Sequence, residues 1–109
     1  MKPIFLTSKA DFEKFRTSKA FYSEGMKLRV AWSNQNFPRF GFIIPKKVLP
    51  KVSDRNKLKR RLRAIIRANL SRVASKDLLI FPKSGAIRKT YKQLNAEFIS
   101  LLTQARLWK

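Results

Sequence analysis

Between Lys46 and Arg67 the chain reads KKVLPKVSDRNKLKRRLRAIIR, with ten Lys and Arg against one acid, Asp54. No other feature limits the possible folds so strongly. Leu58, Leu62, Ile65, Ile66 and Asn69/Leu70 recur at three- and four-residue steps, which predicts an amphipathic helix over Asp54 to Leu70. Asp54 suits the N-cap, where its carboxylate accepts backbone N–H bonds left open by the first turn. At 100° per residue, Asn56, Lys59, Arg60, Arg63 and Arg67 share one flank of the apolar stripe, while Lys57 and Arg61 lie beyond it. A solvated basic face normally carries acids one turn away from its bases. This one has no acid between Asp54 and Asp77. The stripe must therefore dock on a core while the flank meets a polyanion.

The rest of the composition narrows that polyanion. The formal charge is +20, from 26 bases and 6 acids, and such an excess opposes compaction unless a partner neutralises it. Nucleic acid comes first, an anionic membrane second and an acidic protein third. The chain has neither Cys nor His, so disulfides, Cys/His zinc sites and Ser–His triads are excluded. The 109 residues fit one domain, residues 1–109, which buries roughly two-thirds of its unfolded surface. The longest uncharged apolar runs, Phe40 to Pro45 and Leu78 to Pro82, are too short to span a bilayer. The N-terminus lacks the apolar core of a signal peptide. The expectation is a soluble, cytoplasmic protein.

Read in order, residues 1 to 8 are an extended lead-in. Thr7 or Ser8 caps a short helix from Lys9 to about Arg16, and Ser18 to Gly25 is a turn region. Met26 to Ser33 alternates as a half-buried strand, with Met26, Leu28, Val30 and Trp32 inward. After the Asn34-Gln35-Asn36 turn, Arg39 to Pro45 is its antiparallel hairpin partner, with Phe40, Phe42 and Ile44 inward. Val48 and Val52 suggest a short extra strand. Leu78 to Phe81 is a buried strand, and Thr90 caps a last helix from Tyr91 to about Ala105. The expected class is α+β: a mainly antiparallel sheet of about four strands packed with three helices, in the order α-β-β-(β)-α-β-α.

The run from Arg39 to Arg67 resembles the signature of the bacterial ribonuclease P protein subunit. Arg39 and Gly41 stand at that family's R-x-G strand, and Lys46-Lys47 at its Ser-Lys-Lys turn. Arg55-Asn56 match the start of its Arg-Asn-Arg element, and Lys59, Arg60 and Arg63 its Lys-Arg-x-x-Arg element. Asp11-Phe12, Asp77 to Phe81, Lys83 and Gly85-Ala86 also fall in order. The chain departs from the pattern at several places. Pro45 replaces the serine before the lysines, Leu49-Pro50 displaces the following glycine, and Lys57 stands for the third member of Arg-Asn-Arg. Ala64 replaces an acid, and Arg16 sits where the first helix has its second aromatic, beside Phe15.

The resemblance implies a subunit that joins a catalytic RNA and assists removal of the 5′ leader from precursor tRNA, with magnesium bound mainly by that RNA. It implies a left-handed β-α-β crossover around the basic helix, in a fold akin to a ribosomal-protein domain. It also implies a cleft between the sheet and the first helix for the single-stranded leader. The residues expected on the ribozyme are Lys46, Lys47, Arg55, Asn56, Lys57, Lys59, Arg60, Arg63 and Arg67. Asn56 alternatively caps the helix start, and Arg61 is expected to be solvated. Single strands are held by bases stacked on aromatics beside a basic track, which nominates Phe12 and Phe15 with Lys27 and Arg29. On a short helix such aromatics more often belong to the core. Phe40, Phe42, Phe81 and Phe98 are assigned to the core. No residue of this chain is expected to be catalytic or to ligate a metal by itself. The partners expected are the catalytic RNA and precursor tRNA, not membrane or DNA. The alternative that composition favours is a ribosomal or other structural RNA-binding protein; an autonomous nuclease or DNA-binding domain is a third class.

Overall fold

The computed structural model describes residues 3–6 and 12–108. Its strands are β1 (Ile4–Phe5), β2 (Lys19–Tyr22), β3 (Met26–Ala31), β4 (Arg39–Phe42) and β5 (Asp77–Pro82). Two long helices follow the same order, α1 (Val52–Asn69) and α2 (Tyr91–Gln104). The strands form one five-stranded mixed sheet in the order β1-β4-β5-β3-β2. β5 pairs parallel with β4 and antiparallel with β3, while β1 pairs parallel with β4.

The α+β class stands, but the expected β3–β4 hairpin does not form. β5 lies between those two strands. Alternation specifies which face a strand buries, not which strand lies beside it. Leu78, Leu79 and Ile80 are all buried, so β5 is covered on both faces and takes the sheet's centre. The turn region expected over Ser18 to Gly25 contains β2, paired with β3 from Lys19↔Val30 to Tyr22↔Lys27. The lead-in contains β1, too short for alternation to reveal. Val48 belongs to a turn and Val52 opens α1, so the extra strand is absent there. Most of the expected first helix lies outside the described residues; residues 12 and 13 are helical and 14–17 form a turn.

The two faces of the sheet differ. On one, Met26, Leu28, Phe40, Leu78 and Ile80 pack against Leu58, Leu62, Ile65 and Ile66 of α1 and Leu94, Phe98, Leu101 and Leu102 of α2. Each such side chain contributes about 1.5–3 kcal/mol on burial. On the other, Ala31 and Leu79 meet Leu6 and Phe15, with Phe12, Ile43 and Phe81 half-buried around them. This second face is only partly covered.

Helix ends follow local chemistry with one exception. Thr90 accepts from Gln93 N and the Gln93 side chain accepts from Thr90 N, the reciprocal cap expected at α2. At α1 the N-cap position is Lys51 rather than Asp54, and it makes no side-chain cap bond. Asp54 still stands in the first turn, where a negative charge suits the helix dipole.

Candidate nucleic-acid interface

α1 connects the parallel neighbours β4 and β5, and burial of its stripe turns the basic flank outward. Asn56, Lys57, Arg60, Arg63 and Arg67 are exposed and Lys59 is half-buried. Lys46 and Lys47 are exposed in the turn that leads to the helix. The flank reaches the edge of the sheet at Arg63, whose guanidinium carbon lies 5.5 Å from the Phe5 ring centroid. There Lys59 and Arg63 line a hollow of about 240 Å³ with Phe5, Leu6, Phe12, Gly41 and Phe42. Phe12 and the basic flank, which are far apart in sequence, thus border one space.

Gly41 lets that space exist. A Cβ there would sit 3.0 Å from Leu79 Cδ1 and 3.1 Å from Phe12 Cε1. The bare backbone of β4 admits the aromatic ring against the sheet.

A second, larger hollow of about 580 Å³ lies at the other end of the sheet, between Tyr22, Lys27, Lys47, Val48, Phe81, Pro82, Lys83 and Ser84. Lys27 Nζ stands 4.4 Å from the Phe81 ring centroid. Tyr22 is 59% exposed. Lys83 Nζ donates to Ser23 O at 2.8 Å. Three lysines around two aromatic rings, with no acid in the lining, suit a base and its phosphate.

Other expected site residues have structural partners. Arg55 Nη1 donates to Leu49 O at 2.7 Å and Pro50 O at 3.0 Å, bracing the connector against the start of α1. Arg29 Nη1 donates to Ser18 O at 2.7 Å. Phe15 is buried at 2% exposure, so its ring belongs to the core beneath the cleft rather than to a stacking surface. Arg61, expected in solvent, donates to Ile87 O and Lys89 O at 3.1 and 3.2 Å and joins α1 to the segment before α2. Carbonyls at the end of a distant turn give no periodic signal, so the sequence did not reveal this role. Trp32, expected in the core, is 71% exposed because the strand ends at Ala31. Phe42 and Phe81, also assigned to the core, are half-buried and border the two hollows. Tyr22 and Lys83 complete the larger hollow, and only the fold places them there.

Asp77, Glu97 and Glu24 are each paired with a cation. Asp77 is fully buried and accepts from Arg39 Nε at 3.0 Å and Nη2 at 2.6 Å, and from Lys14 Nζ. Burial pushes the Glu97 carboxyl up, but Ser23 Oγ, Gly25 N–H and the Lys89 ammonium outweigh it and hold the group below the usual value. Hydrogen bonds to Glu24 and then Glu97 raise Lys89. Among the described residues no group of three or more His, Cys, Asp or Glu stands ready for a metal ion. No helix of the described residues is long and apolar enough to cross a membrane.

Comparison with known proteins shows the family and the fold. The sequence model of the family described as Ribonuclease P matches residues 1–106. The ribonuclease P protein component of Finegoldia magna is 33% identical over 92 residues, which cover 84% of this chain and 80% of that protein. The fold is similar to the RNase P protein of Staphylococcus aureus, with TM-score 0.87, 20% identity and coverage of 99% and 100%. It is also similar to that of Thermotoga maritima, with TM-score 0.78, 23% identity and coverage of 88% and 91%. A family match that runs through the basic helix, the sheet and α2 alike means that this chain belongs to the ribonuclease P family, as the protein subunit of that tRNA-processing endoribonuclease.

Proposed function

We propose that the exposed flank of α1 holds the catalytic RNA of the enzyme while the partly covered face of the sheet holds the 5′ leader of precursor tRNA. The observation that carries this reading is the shared hollow, where Lys59 and Arg63 of the flank and Phe12 of the covering segment border one space. A strand leaving the RNA surface at that point passes directly onto an aromatic and basic sheet face. Lys46, Lys47, Asn56, Lys57, Arg60 and Arg67 extend the RNA-facing surface. Arg55 contributes there through its charge, while its Nη1 serves the connector. The leader track runs from Phe12 toward Lys27, Phe81, Tyr22 and Lys83.

In this reading the cutting belongs to the RNA partner, with magnesium held there, in the cytoplasm. The chain's own contribution is electrostatic and positional. Neutralising about six to ten phosphates supplies most of the affinity and makes it steeply salt-dependent. Arg60 and Arg63 add paired hydrogen bonds to phosphate oxygens. A left-handed β4–α1–β5 connection is part of the same proposal, supported by the likeness of fold.

Reconstitution tests it. Added to a bacterial ribonuclease P RNA, the folded chain should lower the magnesium concentration needed to cleave precursor tRNA. A folded chain that leaves this requirement unchanged refutes the proposal, and RNA cleavage by the chain without that RNA would place catalysis in the protein.

A further inference from the structure

The Asp77 carboxylate is wholly buried, yet Arg39 alone satisfies it, with Nε on Oδ1 and Nη2 on Oδ2. A buried acid needs one matched counter-charge, and a two-bond guanidinium pair provides it. Lys14 is a second cation on the same carboxylate. It comes from outside the sheet, in the turn at residues 14–17, and its side chain remains 32% exposed. The same ammonium lies 3.4 Å from Trp32 O. Lys14 thereby ties the covering segment to the ends of two strands, β3 through Trp32 and β5 through Asp77, whose carboxylate Arg39 of β4 shares.

The segment so tied carries Phe15 of the core and Phe12 of the hollow. Phe15, one residue after Lys14, is plugged into the Leu6, Ala31 and Leu79 cluster. Phe12, two residues before it, borders the hollow shared with Lys59 and Arg63. Without Lys14 the Phe12 side of the turn is held at Phe15, the Arg29 bond to Ser18 O lying on the far side, and can pivot about that ring. A second attachment at Lys14 fixes its rotation, and with it the place of the Phe12 ring above Gly41.

We infer that Lys14 and Asp77 form a clasp that positions Phe12 for the leader, making Lys14 a positioning residue for substrate selection rather than an RNA contact. This rests on the leader reading given above. It separates Lys14 from the bases on the exposed flank of α1, whose loss should weaken RNA binding through charge.

The variant Lys14→Met tests the clasp in two independent ways. Its lysine is partly exposed and Arg39 continues to neutralise Asp77, so the fold and its melting midpoint should be nearly unchanged. In the purified full chain, amide exchange at Phe15, Arg16 and Ser18, whose N–H groups bond to Phe12, Glu13 and Phe15 carbonyls, should speed up about tenfold. Amides of α1 should not change. In the complex with ribonuclease P RNA, the preference for precursor tRNA over the same tRNA without leader should fall about five- to tenfold, with affinity for the ribozyme RNA retained. Lys14→Arg keeps a charged donor within reach of Asp77 and should restore both readings, whereas a bulk charge effect of residue 14 would lower the ribozyme affinity of Lys14→Met. Unchanged exchange overturns the clasp. Faster exchange with the full leader preference intact overturns the positioning role and leaves the leader reading standing. A wild-type complex that shows no preference for leader-bearing substrate overturns the leader reading and the positioning role together.

Discussion

Gly41 shows how a single residue sets the site. It is buried in β4 with Phe12 and Leu79 both near the place a Cβ would take. Gly41→Ala should cost about 1–3 kcal/mol, the usual range for overpacking, seen as a lower urea midpoint with an unchanged slope. Phe12 should move outward, since Leu79 is held in the core. Glu97 and Lys89 provide a second test at this scale. Glu97 is held below its ordinary 4.5 in the folded chain, so its stabilisation is full above that value and is lost as pH falls through the lowered one. Lys89 is raised above 10.5, so its stabilisation is full below that value and lost only as pH rises beyond it. Glu97→Gln should therefore lower stability at neutral pH and flatten the acid limb of a stability–pH profile below 4.5. The sequence does not reveal this cluster, because Ser23, Gly25, Lys89 and Glu97 meet only after the turn between β2 and β3 packs on α2.

At the scale of an element, α1 is two surfaces on one helix. Its stripe was legible from spacing alone, and Leu58, Leu62, Ile65 and Ile66 are buried as expected. Its start was not legible. Asp54 looks like a cap, but Pro50 and the Arg55 bonds to Leu49 and Pro50 carbonyls let the helix begin two residues earlier, at Val52. The two flanks should separate cleanly by mutation. Arg61→Ala removes two charged-donor bonds to Ile87 and Lys89 carbonyls and should cost about 1–3 kcal/mol of stability, with ribozyme affinity changed little. Arg63→Ala and Lys59→Ala should leave the denaturation midpoint nearly in place. Each should weaken ribozyme binding and reduce the slope of log affinity against log salt by about one unit for every phosphate no longer neutralised.

For the whole molecule the dominant fact is the charge of +20. Few acids offset it, and those at Asp77, Glu97 and Glu24 are already paired with cations. The folded chain therefore repels itself, and screening or a bound anion should relieve it. Raising sodium chloride from about 10 mM to about 200 mM, which shortens the Debye length from roughly 30 to 7 Å, should raise the melting midpoint of the free protein by several degrees. Sulfate at equal ionic strength should raise it more. A midpoint that falls with salt would show that attractive pairs, not repulsion, dominate.

The sequence by itself determined that the chain has an apolar stripe to dock and a basic flank to neutralise, that Cys and His chemistry is closed to it, and which face each long strand buries. Those are properties of spacing and residue type, and they persist in any compatible fold. Only the tertiary structure decided the strand order, because alternation is silent about neighbours and β5, apolar on both faces, displaced the expected hairpin. Only the tertiary structure sent Phe15 to the core and Trp32 to the surface, and gave Arg61 carbonyls to hold. And only through it do Lys59 and Arg63 of the helix reach Phe12 across the edge of the sheet. That meeting depends on the β4–α1–β5 connection closing over a strand whose glycine leaves room for a ring, a distance in space that no local pattern encodes.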